Sequence, residues 1–327
     1  RELLANTGPT ADGFGVTARD RIYDFRSFNW CSAQTFSAMP VLARGATLIL
    51  GRKFSRSRFF EHIRRHRATV AAGNPTTIGI LLNGDPLPEA FDVPTLRFVT
   101  SSSAPLLVEE WRRFESRFGI RVAQGYGCSE IGWIAAQQGE QRRLGTVGRP
   151  HNYHRLTIVG GDGQSLKAGE TGAVELGGLH GNAYRTLGDS GEIRVDCRDR
   201  MKTGDLGFLD GEGYLHLTGR AKDLIIRGGV NISPVEIDTV LMGQPEVVEV
   251  ATVGVPDALY GEEVVAYVVL RPGCGLGAAD ILNRCAATLP AFKAPKCIIL
   301  SGELPKTERG KLDRRALVER WRHEATG

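Results

Sequence analysis

The first 150 residues alternate short apolar segments with longer amphipathic ones, and this alternation limits the fold more than any other feature of the sequence. Segments 69–72 and 96–100 have the apolar composition of buried strands, as does 41–50, which Gly51 closes. Segment 108–118 has the spacing of an amphipathic helix. Strands that are separated by helices pair in parallel, because the helix carries the chain back across the sheet. The sequence therefore predicts an α/β layer at the start of the chain.

From about residue 155 the pattern changes to short β segments between Gly and Asp clusters, which is typical of a small antiparallel β subdomain. A third region follows, in which Ser233-Pro234-Val235-Glu236 has the pattern of a capping box at a helix start. We therefore expect an α/β protein with a large N-terminal domain at 1–221, whose β subdomain occupies 155–220. A small, mobile α+β C-terminal domain is expected at 222–327.

The composition excludes several classes of protein. The net charge is +4, since 41 Lys and Arg stand against 37 Asp and Glu, and so mild a charge predicts no nucleic-acid partner. The apolar stretch 264–270 is far shorter than the roughly 18 residues that a membrane span requires, so no span is expected. The six cysteines show neither metal-site spacing nor a disulfide framework, which favours a reducing, cytoplasmic location.

Three short motifs between residues 201 and 223 carry the most specific chemistry. They read MKTGDLG at 201–207, DGEGY at 210–214 and GRAKD at 219–223. An aspartate on a glycine-flanked turn, such as Asp205, can accept two hydrogen bonds from vicinal hydroxyls, and Arg220 can meet a ribose or a phosphate. Each motif alone is typical of a turn. Their order and spacing together indicate a nucleotide site.

These motifs resemble those of the adenylate-forming superfamily, which contains acyl-CoA synthetases, luciferases and the adenylation domains of peptide synthetases. That family shows a TGD motif, a hinge of the form G-R-x-[DK]-D, a glycine-rich loop after the hinge and a catalytic lysine near the C-terminus. RGGVNISP at 227–234 and PKTERGKLD at 305–313 match the last two. QGYGCSE at 124–130 resembles the family's Y-G-x-[ST]-E loop, and SSSAPL at 101–106 resembles its adenine-binding segment.

The resemblance implies roles for the matching residues around the nucleotide. Glu130 would hold Mg²⁺, a hard cation that prefers carboxylate and phosphate oxygens, and Ser129 would contact the α-phosphate of ATP. Tyr126 would stack on the adenine, Asp205 would bind the ribose hydroxyls, and Arg220 would contact ribose or phosphate. The whole nucleotide-binding set that the resemblance implies is Ser103, Ala104, Pro105, Gln124, Gly125, Tyr126, Gly127, Ser129, Asp205 and Arg220.

The C-terminal motifs imply the catalytic lysine and a moving domain. Lys311 would bridge the substrate carboxylate and the α-phosphate as negative charge builds in the adenylation transition state. Lys222 matches the hinge about which the family's small domain swings. After that swing, the loop of Arg227, Gly228 and Gly229 would bind CoA; a plain Gly-Gly turn is the alternative for this loop. The catalytic set implied by the resemblance is Lys311, Glu130 and Arg220.

The acid pocket is defined least sharply by the motifs. The family's pattern implies that Asn29, Trp30, Asn74 and Gln124 line it. Amino-acid-activating relatives usually place an aspartate for the α-amine in this region, and this chain has Asn29, which weighs against an amino-acid substrate. Trp30 and Asn74 could accept a flat aromatic acid, or Trp30 could be a packing residue.

One family feature is missing from the front of the sequence. The Ser/Thr/Gly-rich phosphate loop that ends in Pro-Lys should precede the helix at 3–6, and no such segment stands there. The chain is then either truncated before or at that loop, which Arg1 favours, or a natural short form that lost adenylation. In either case we expect the chain alone to catalyse poorly, because the loop positions the β- and γ-phosphates.

The resemblance as a whole implies an ATP-dependent acyl-CoA ligase of fatty-acid or aromatic-acid metabolism. It would use ATP, Mg²⁺ and CoA, with a small carboxylic acid as its partner, and a homodimer stays open. Two alternatives remain: an adenylation module that loads a carrier protein, and a catalytically inactive nucleotide-binding fragment. The sequence names neither the acid nor the acceptor.

Overall fold

The computed structural model describes residues 2–83, 92–137, 139–177, 185–187, 190–195, 200–307 and 311–325. The chain divides into two compact units. The first contains Arg1–Leu106 and Glu110–Leu217, and the second contains Leu107–Glu109 and Thr218–Gly327. Each unit is built around its own sheet and its own apolar core.

Helices and strands alternate through the first 150 residues, as the sequence predicts. The helices are α1 Glu2–Phe14, α2 Cys31–Ala33, α3 Met39–Arg44, α4 Phe59–Arg65, α5 Pro75–Asn83 and α6 Val108–Phe118, with a π-helix at Gln34–Ala38 between α2 and α3. The strands are β1 Arg21–Asp24, β2 Thr47–Leu50, β3 Val70–Ala71, β4 Phe98–Ser101, β5 Arg121–Cys128, β6 Gly132–Ala136 and β7 Arg149–Pro150.

These strands form one seven-stranded sheet in the order β2-β1-β3-β4-β5-β6-β7. The first five pair in parallel, which confirms the predicted α/β layer, and β6 and β7 complete the sheet in antiparallel pairs. An aromatic core that includes Phe59, Phe60 and Trp111 packs α4 and α6 on the sheet. A second cluster joins α1 and the π-helix to β6 through Phe14, Phe36 and Trp133.

A smaller sheet follows in the first unit, in the region expected for the β subdomain. Its strands are β8 Arg155–Val159, β9 Gly172–Gly177, β12 Arg200–Leu209 and β13 Leu215–Arg220, in the order β13-β12-β9-β8; a separate pair is formed by β10 Arg185–Leu187 and β11 Ile193–Val195. The pairs β8–β9 and β9–β12 are antiparallel, as predicted. The register of β12 shifts between Lys202 and Leu206, and this irregularity carries the TGD motif.

The second unit is α+β, as expected for the C-terminal domain. It contains β14 Ile225–Arg227, β15 Val230–Ile232, α7 Pro234–Met242, β16 Val247–Asp257, β17 Gly261–Leu270, α8 Ala278–Ala286, β18 Cys297–Leu300 and α9 Arg314–Ala325. The sheet runs β15-β14-β17-β16, with β18 beside β17. Helices α7 and α8 share one core cluster with the sheet, and α9 packs in another around Tyr267 and Leu317.

Two local expectations differ from the structure. Segment 41–50 is not one strand, because its first residues finish helix α3. Gly45 ends that helix in the left-handed region (φ 67°), where glycine has no Cβ to clash, and only Thr47–Leu50 is extended. Ser233 does not form the predicted capping box; its hydroxyl donates to the Thr218 carbonyl. Glu236 accepts instead from Lys293 at 2.7 Å.

Candidate active site

The predicted adenine segment begins where strand β4 ends. Ser101 is the last residue of β4, and it lies directly opposite Gln124 on the parallel strand β5. Ligands of open parallel sheets bind beyond the carboxyl ends of the strands, so both residues stand at the edge where a site is expected. Ser103 has φ 74°, which is uncommon for a residue with a side chain and is found at sites where the surrounding structure enforces it.

Strand β5 carries the QGYGCSE loop, and two of its glycines permit close packing. A Cβ on Gly127 would lie 2.4 Å from the carbonyl oxygen of Gly132 on β6, so a side chain there would separate the two strands. A Cβ on Gly125 would meet the rings of Phe14 and Trp133. The structure therefore gives both glycines a packing reason, beside the nucleotide role that the resemblance implies.

The structure brings together Tyr126 and Asp205, which stand 79 positions apart in the chain. The Tyr126 hydroxyl donates to Asp205 Oδ2 at 2.5 Å. Burial, and then the neighbouring Asp205 charge, raise the pKa of Tyr126, so the phenol stays protonated and acts as the donor. The backbone N–H of Asp205 donates to Thr203 Oγ1 at 3.1 Å, and this hydrogen bond stabilises the turn that carries Asp205. The loop assigned to adenine thus touches the aspartate assigned to ribose.

Ser129 and Glu130 are exposed in the turn between β5 and β6. Burial, followed by the charge and hydrogen bond of Glu130, raises the pKa of the Cys128 thiol to about 12. Cys31, at the start of α2, reaches the Ser129 carbonyl with a sulfur–oxygen distance of 3.8 Å. Helix α2, which directly follows the predicted pocket residues Asn29 and Trp30, therefore adjoins the loop predicted to bind phosphate and Mg²⁺.

The donor set at Glu130 fits a cation that takes most of its ligands from phosphate and water. Its carboxylate is exposed and is the hard-oxygen ligand that Mg²⁺ prefers. Across the described ranges, no group of three or more His, Cys, Asp or Glu could hold a metal by itself. A Mg²⁺ ion at Glu130 would accordingly depend on the oxygens of a bound nucleotide.

The residues predicted for the acid pocket have different surroundings. Asn29 is exposed and Trp30 is half-buried at the start of the α2–π-helix segment. Gln34, at the start of the π-helix, donates from Nε2 to the Phe28 carbonyl at 2.7 Å. Asn74 caps helix α5, because its Oδ1 accepts from both the N–H and the hydroxyl of Thr77. The side-chain oxygen of Asn74 therefore stabilises the start of helix α5.

Sequence reasoning missed a buried ion pair beside this pocket segment. Asp24 is the last residue of strand β1 and Arg26 follows it; their side chains are only 0% and 4% exposed, and two guanidinium nitrogens donate to the carboxylate. Ser37, in the π-helix, donates to the same carboxylate at 2.5 Å. The pair therefore ties the end of β1 to the π-helix. Its sequence signal is an Asp-x-Arg pattern where an apolar strand ends.

In the second unit, the predicted CoA loop is a tight hairpin. Strands β14 and β15 pair with Arg227 opposite Val230, so Gly228 and Gly229 form a two-residue turn with φ values of 56° and 83°. The Arg227 guanidinium pairs with Glu263 and lies 4.4 Å from the centre of the Tyr260 ring. The hairpin explains the glycines by turn geometry alone, and a CoA role stays a prediction.

The remaining predicted residues also lie in the second unit. Arg220 ends β13, and Lys222 is exposed in the 3₁₀ turn Ala221–Asp223 that follows. Lys311 is exposed, and its backbone is held by Thr307, whose N–H donates to the Lys311 carbonyl at 2.7 Å. Residues 308–310 of the same motif lie outside the described residues.

Comparison with known proteins finds relatives that match nearly the whole of this chain. The sulfoacetate–CoA ligase of Cupriavidus necator is 36% identical over 322 residues, which cover 97% of this chain and 62% of the relative. The indoleacetate–CoA ligase of Aromatoleum aromaticum is 37% identical over 326 residues, 97% of this chain and 63% of the relative. The ATP-bound structure of MatB from Rhodopseudomonas palustris superposes with a TM-score of 0.87 at 30% identity, covering 98% of this chain and 64% of that one.

The chain spans less than two thirds of the length of each of these relatives. None of the described helices combines the length and the apolar character needed to cross a bilayer. The family model for AMP-binding enzymes matches residues 1–181, and the model for the C-terminal domain of AMP-binding enzymes matches 236–311. The sulfoacetate and indoleacetate relatives named above are CoA ligases. The resemblance seen in the motifs is thereby confirmed: the chain belongs to the AMP-binding enzyme family.

Proposed function

We propose that the chain supplies part of an AMP-forming acyl-CoA ligase, since it spans 62% of the length of its sulfoacetate-ligating relative. The observation that carries the proposal is the Tyr126–Asp205 hydrogen bond, which joins two family motifs at one edge of the first unit. Relatives that ligate sulfoacetate, indoleacetate and oxalate to CoA support CoA as the acceptor. The ATP-bound MatB structure supports ATP as the nucleotide.

The proposed reaction has two steps, and it consumes only the acid, ATP and CoA. In the first, a carboxylate oxygen attacks the α-phosphorus of ATP and pyrophosphate leaves with the bond electrons, which produces an acyl-adenylate. In the second, the CoA sulfur attacks the acyl carbon, the thiol loses its proton and AMP leaves. The mixed anhydride makes the carbonyl electrophilic enough for a thiol. Mg²⁺ would supply charge neutralisation at the phosphates.

In the first unit, we propose that neighbouring elements bind different parts of the nucleotide. The 103–105 segment after β4 binds the adenine, with Tyr126 on its face. Asp205, whose Oδ2 accepts from the Tyr126 hydroxyl, binds the ribose hydroxyls. Ser129 and Glu130, which are exposed, bind the α-phosphate and the cation. Support for this division comes from the adjacency of the three segments, since a single ligand has to reach all of them.

In the second unit, we propose that Lys311 and the Gly228-Gly229 turn serve different steps. Lys311 neutralises the charge that develops on the α-phosphate and carboxylate during adenylation. The turn, which has no side chains, lets the thiol-bearing arm of CoA pass close to the backbone. The 222–327 domain turns about Lys222 between the two steps, relative to the domain at 1–221. The separate core of the second unit supports this division.

Two variants test whether the steps use different residues. Lys311→Ala should lower acid-dependent pyrophosphate release by about a hundredfold or more, while thioester formation from supplied acyl-adenylate and CoA is spared. Gly229→Trp should show the reverse pattern. The matched control is Lys306→Ala, since the Lys306 ammonium is held by Glu249 at 2.9 Å and has no proposed role in catalysis. Equal loss of both steps in Lys311→Ala would contradict the assignment.

A further inference from the structure

Three buried polar atoms at the edge of the main sheet have no hydrogen-bond partner among the described residues. They are Ser101 Oγ, Ser102 Oγ and Gln124 Oε1. Their residues are 0%, 3% and 6% exposed, so solvent at the protein surface does not satisfy them. A buried polar group without a partner costs about 1–3 kcal/mol, and such groups persist mainly where function retains them.

Two of the three residues share one face of the sheet, and the third directly follows one of them in the chain. Ser101 and Gln124 are register partners on the parallel strands β4 and β5, and register partners project from the same face of a sheet. Ser102 follows at the carboxyl end of β4, which is the edge where ligands of such sheets bind. A polar neighbour shows the usual situation: Thr100 Oγ1 accepts from the Gly73 N–H at 3.1 Å.

The chemistry of these atoms selects a neutral partner. Gln124 Oε1 can only accept, so it requires a donor, whereas each serine hydroxyl can both donate and accept. None of the three atoms carries a charge, so they could not offset the free-energy cost of burying a second anionic group of the ligand. The buried cation at the end of β1, Arg26, is already neutralised by Asp24. A hydroxyl or an N–H group on the ligand would meet these requirements.

We infer that Ser101, Ser102 and Gln124 bind the acyl part of the substrate, and that the preferred acid carries a neutral hydroxyl or N–H donor beside its carboxylate. This inference rests on the proposed ligase function and deepens it by naming the class of acid. It excludes plain hydrocarbon acids, which would leave the three atoms unsatisfied. It also separates this chain from its sulfoacetate-ligating relative, whose acid carries a second anionic group.

Matched pairs of acids test the inference, because each pair differs in the donor and little in shape. The pairs are para-hydroxybenzoate with para-methylbenzoate, indole-acetate with benzothiophene-acetate, and β-hydroxybutanoate with β-methylbutanoate. Binding is measured by calorimetry in the presence of AMP, and turnover by pyrophosphate release with ATP. In at least one pair, the affinity for the donor-bearing acid should exceed that for its isostere by about tenfold or more. The isostere leaves the buried polar atoms without a hydrogen-bond partner.

Variants locate the preference on the three atoms. Ser101→Ala and Gln124→Met should each reduce the preference for the donor-bearing acid to about threefold or less. Ser102→Ala removes a single oxygen and serves as a further test if Gln124→Met does not fold. Ser165→Ala, on an exposed residue of the β8–β9 region, is the control that should keep the full preference.

The outcomes separate this inference from the function on which it rests. Tighter binding of the methyl or sulfur isostere in every pair, or no preference in any pair, would overturn the inference alone if pyrophosphate is still released. Weaker AMP binding in Ser101→Ala with the acid preference intact would also overturn it, since the atoms would then face the adenine. If no acid binds and none releases pyrophosphate, the proposed ligase function fails, and the inference fails with it.

Discussion

Tyr126 and Asp205 make the contact that joins two of the motifs proposed to bind the nucleotide. Tyr126→Phe keeps the aromatic ring but removes the hydroxyl that donates to Asp205. We expect the free energy of unfolding to fall by about 1–3 kcal/mol, because the lost hydrogen bond ends on a carboxylate. Urea unfolding of the two proteins measures this. Since the ring remains, AMP should still bind, and a variant as stable as the wild type would show that the contact contributes nothing.

His151 makes stability depend on pH below neutrality. The residue is 7% exposed, and burial, with the nearby His154 charge as the second cause, lowers its pKa from 6.5 to about 4. Between about pH 6.5 and pH 4, His151 is protonated in the unfolded chain but neutral in the folded one. The contribution of His151 to the free energy of unfolding is therefore fully present above about pH 6.5 and is lost as the pH falls toward 4. At about pH 5 the loss is about 2 kcal/mol.

A His151→Leu variant tests the pH effect. Leucine cannot take up a proton, so the difference in unfolding free energy between about pH 7 and pH 5 should shrink by that amount relative to the wild type. Urea titrations at the two pH values measure the difference. If the variant and the wild type lose equal stability on acidification, the pH dependence arises from other groups.

At the scale of elements, Gly148 decides whether β6 and β7 can meet. The residue has φ 89°, and a Cβ there would lie 1.9 Å from the Ala136 carbonyl oxygen. Gly148→Ala must move the backbone and should cost about 3 kcal/mol or more. Gly163→Ala is the matched control, since its φ is 82° and nothing lies within 4 Å of its Cβ position, so only the conformational cost of about 1–2 kcal/mol applies. Equal losses in the two variants would contradict a steric cause.

The elements also show what the sequence could predict. Helix α6 matches the predicted 108–118 segment, because its apolar spacing is local information. The end of α3 inside 41–50 was missed, since an apolar run does not distinguish strand from helix and only Gly45 marks the boundary. Ser233 satisfies the capping-box pattern, yet its hydroxyl bonds to a carbonyl that is brought near by tertiary structure. Patterns predict elements well and long-range partners poorly.

The same limit applies to the candidate site. The motifs indicate Tyr126 and Asp205 separately, but no sequence pattern shows that they touch. Asn74 illustrates the opposite case: a residue assigned to the acid pocket by resemblance uses its oxygen to cap a helix. The buried Asp24–Arg26 pair was missed because charged residues next to a strand are usually exposed, and only the structure shows them enclosed.

On the scale of the whole molecule, two compact units with separate cores suit a reaction with two steps. The first unit holds the residues proposed for the acid and, apart from Arg220, those proposed for the nucleotide. The second unit holds Arg220, Lys311 and the Gly228-Gly229 turn. Neither set can complete the proposed reaction alone. Acid activation and thiol acylation should therefore occur in one protein, with AMP as the product that connects them.

The most direct measurement is the product balance of a single reaction. The protein is incubated with MgATP, CoA and an acid that it binds, and AMP, pyrophosphate and acyl-CoA are quantified by chromatography. The account predicts equal amounts of all three, with acyl-adenylate accumulating when CoA is omitted. Release of ADP and phosphate in place of AMP, or acyl transfer to a carrier-protein arm with none to CoA, would contradict it.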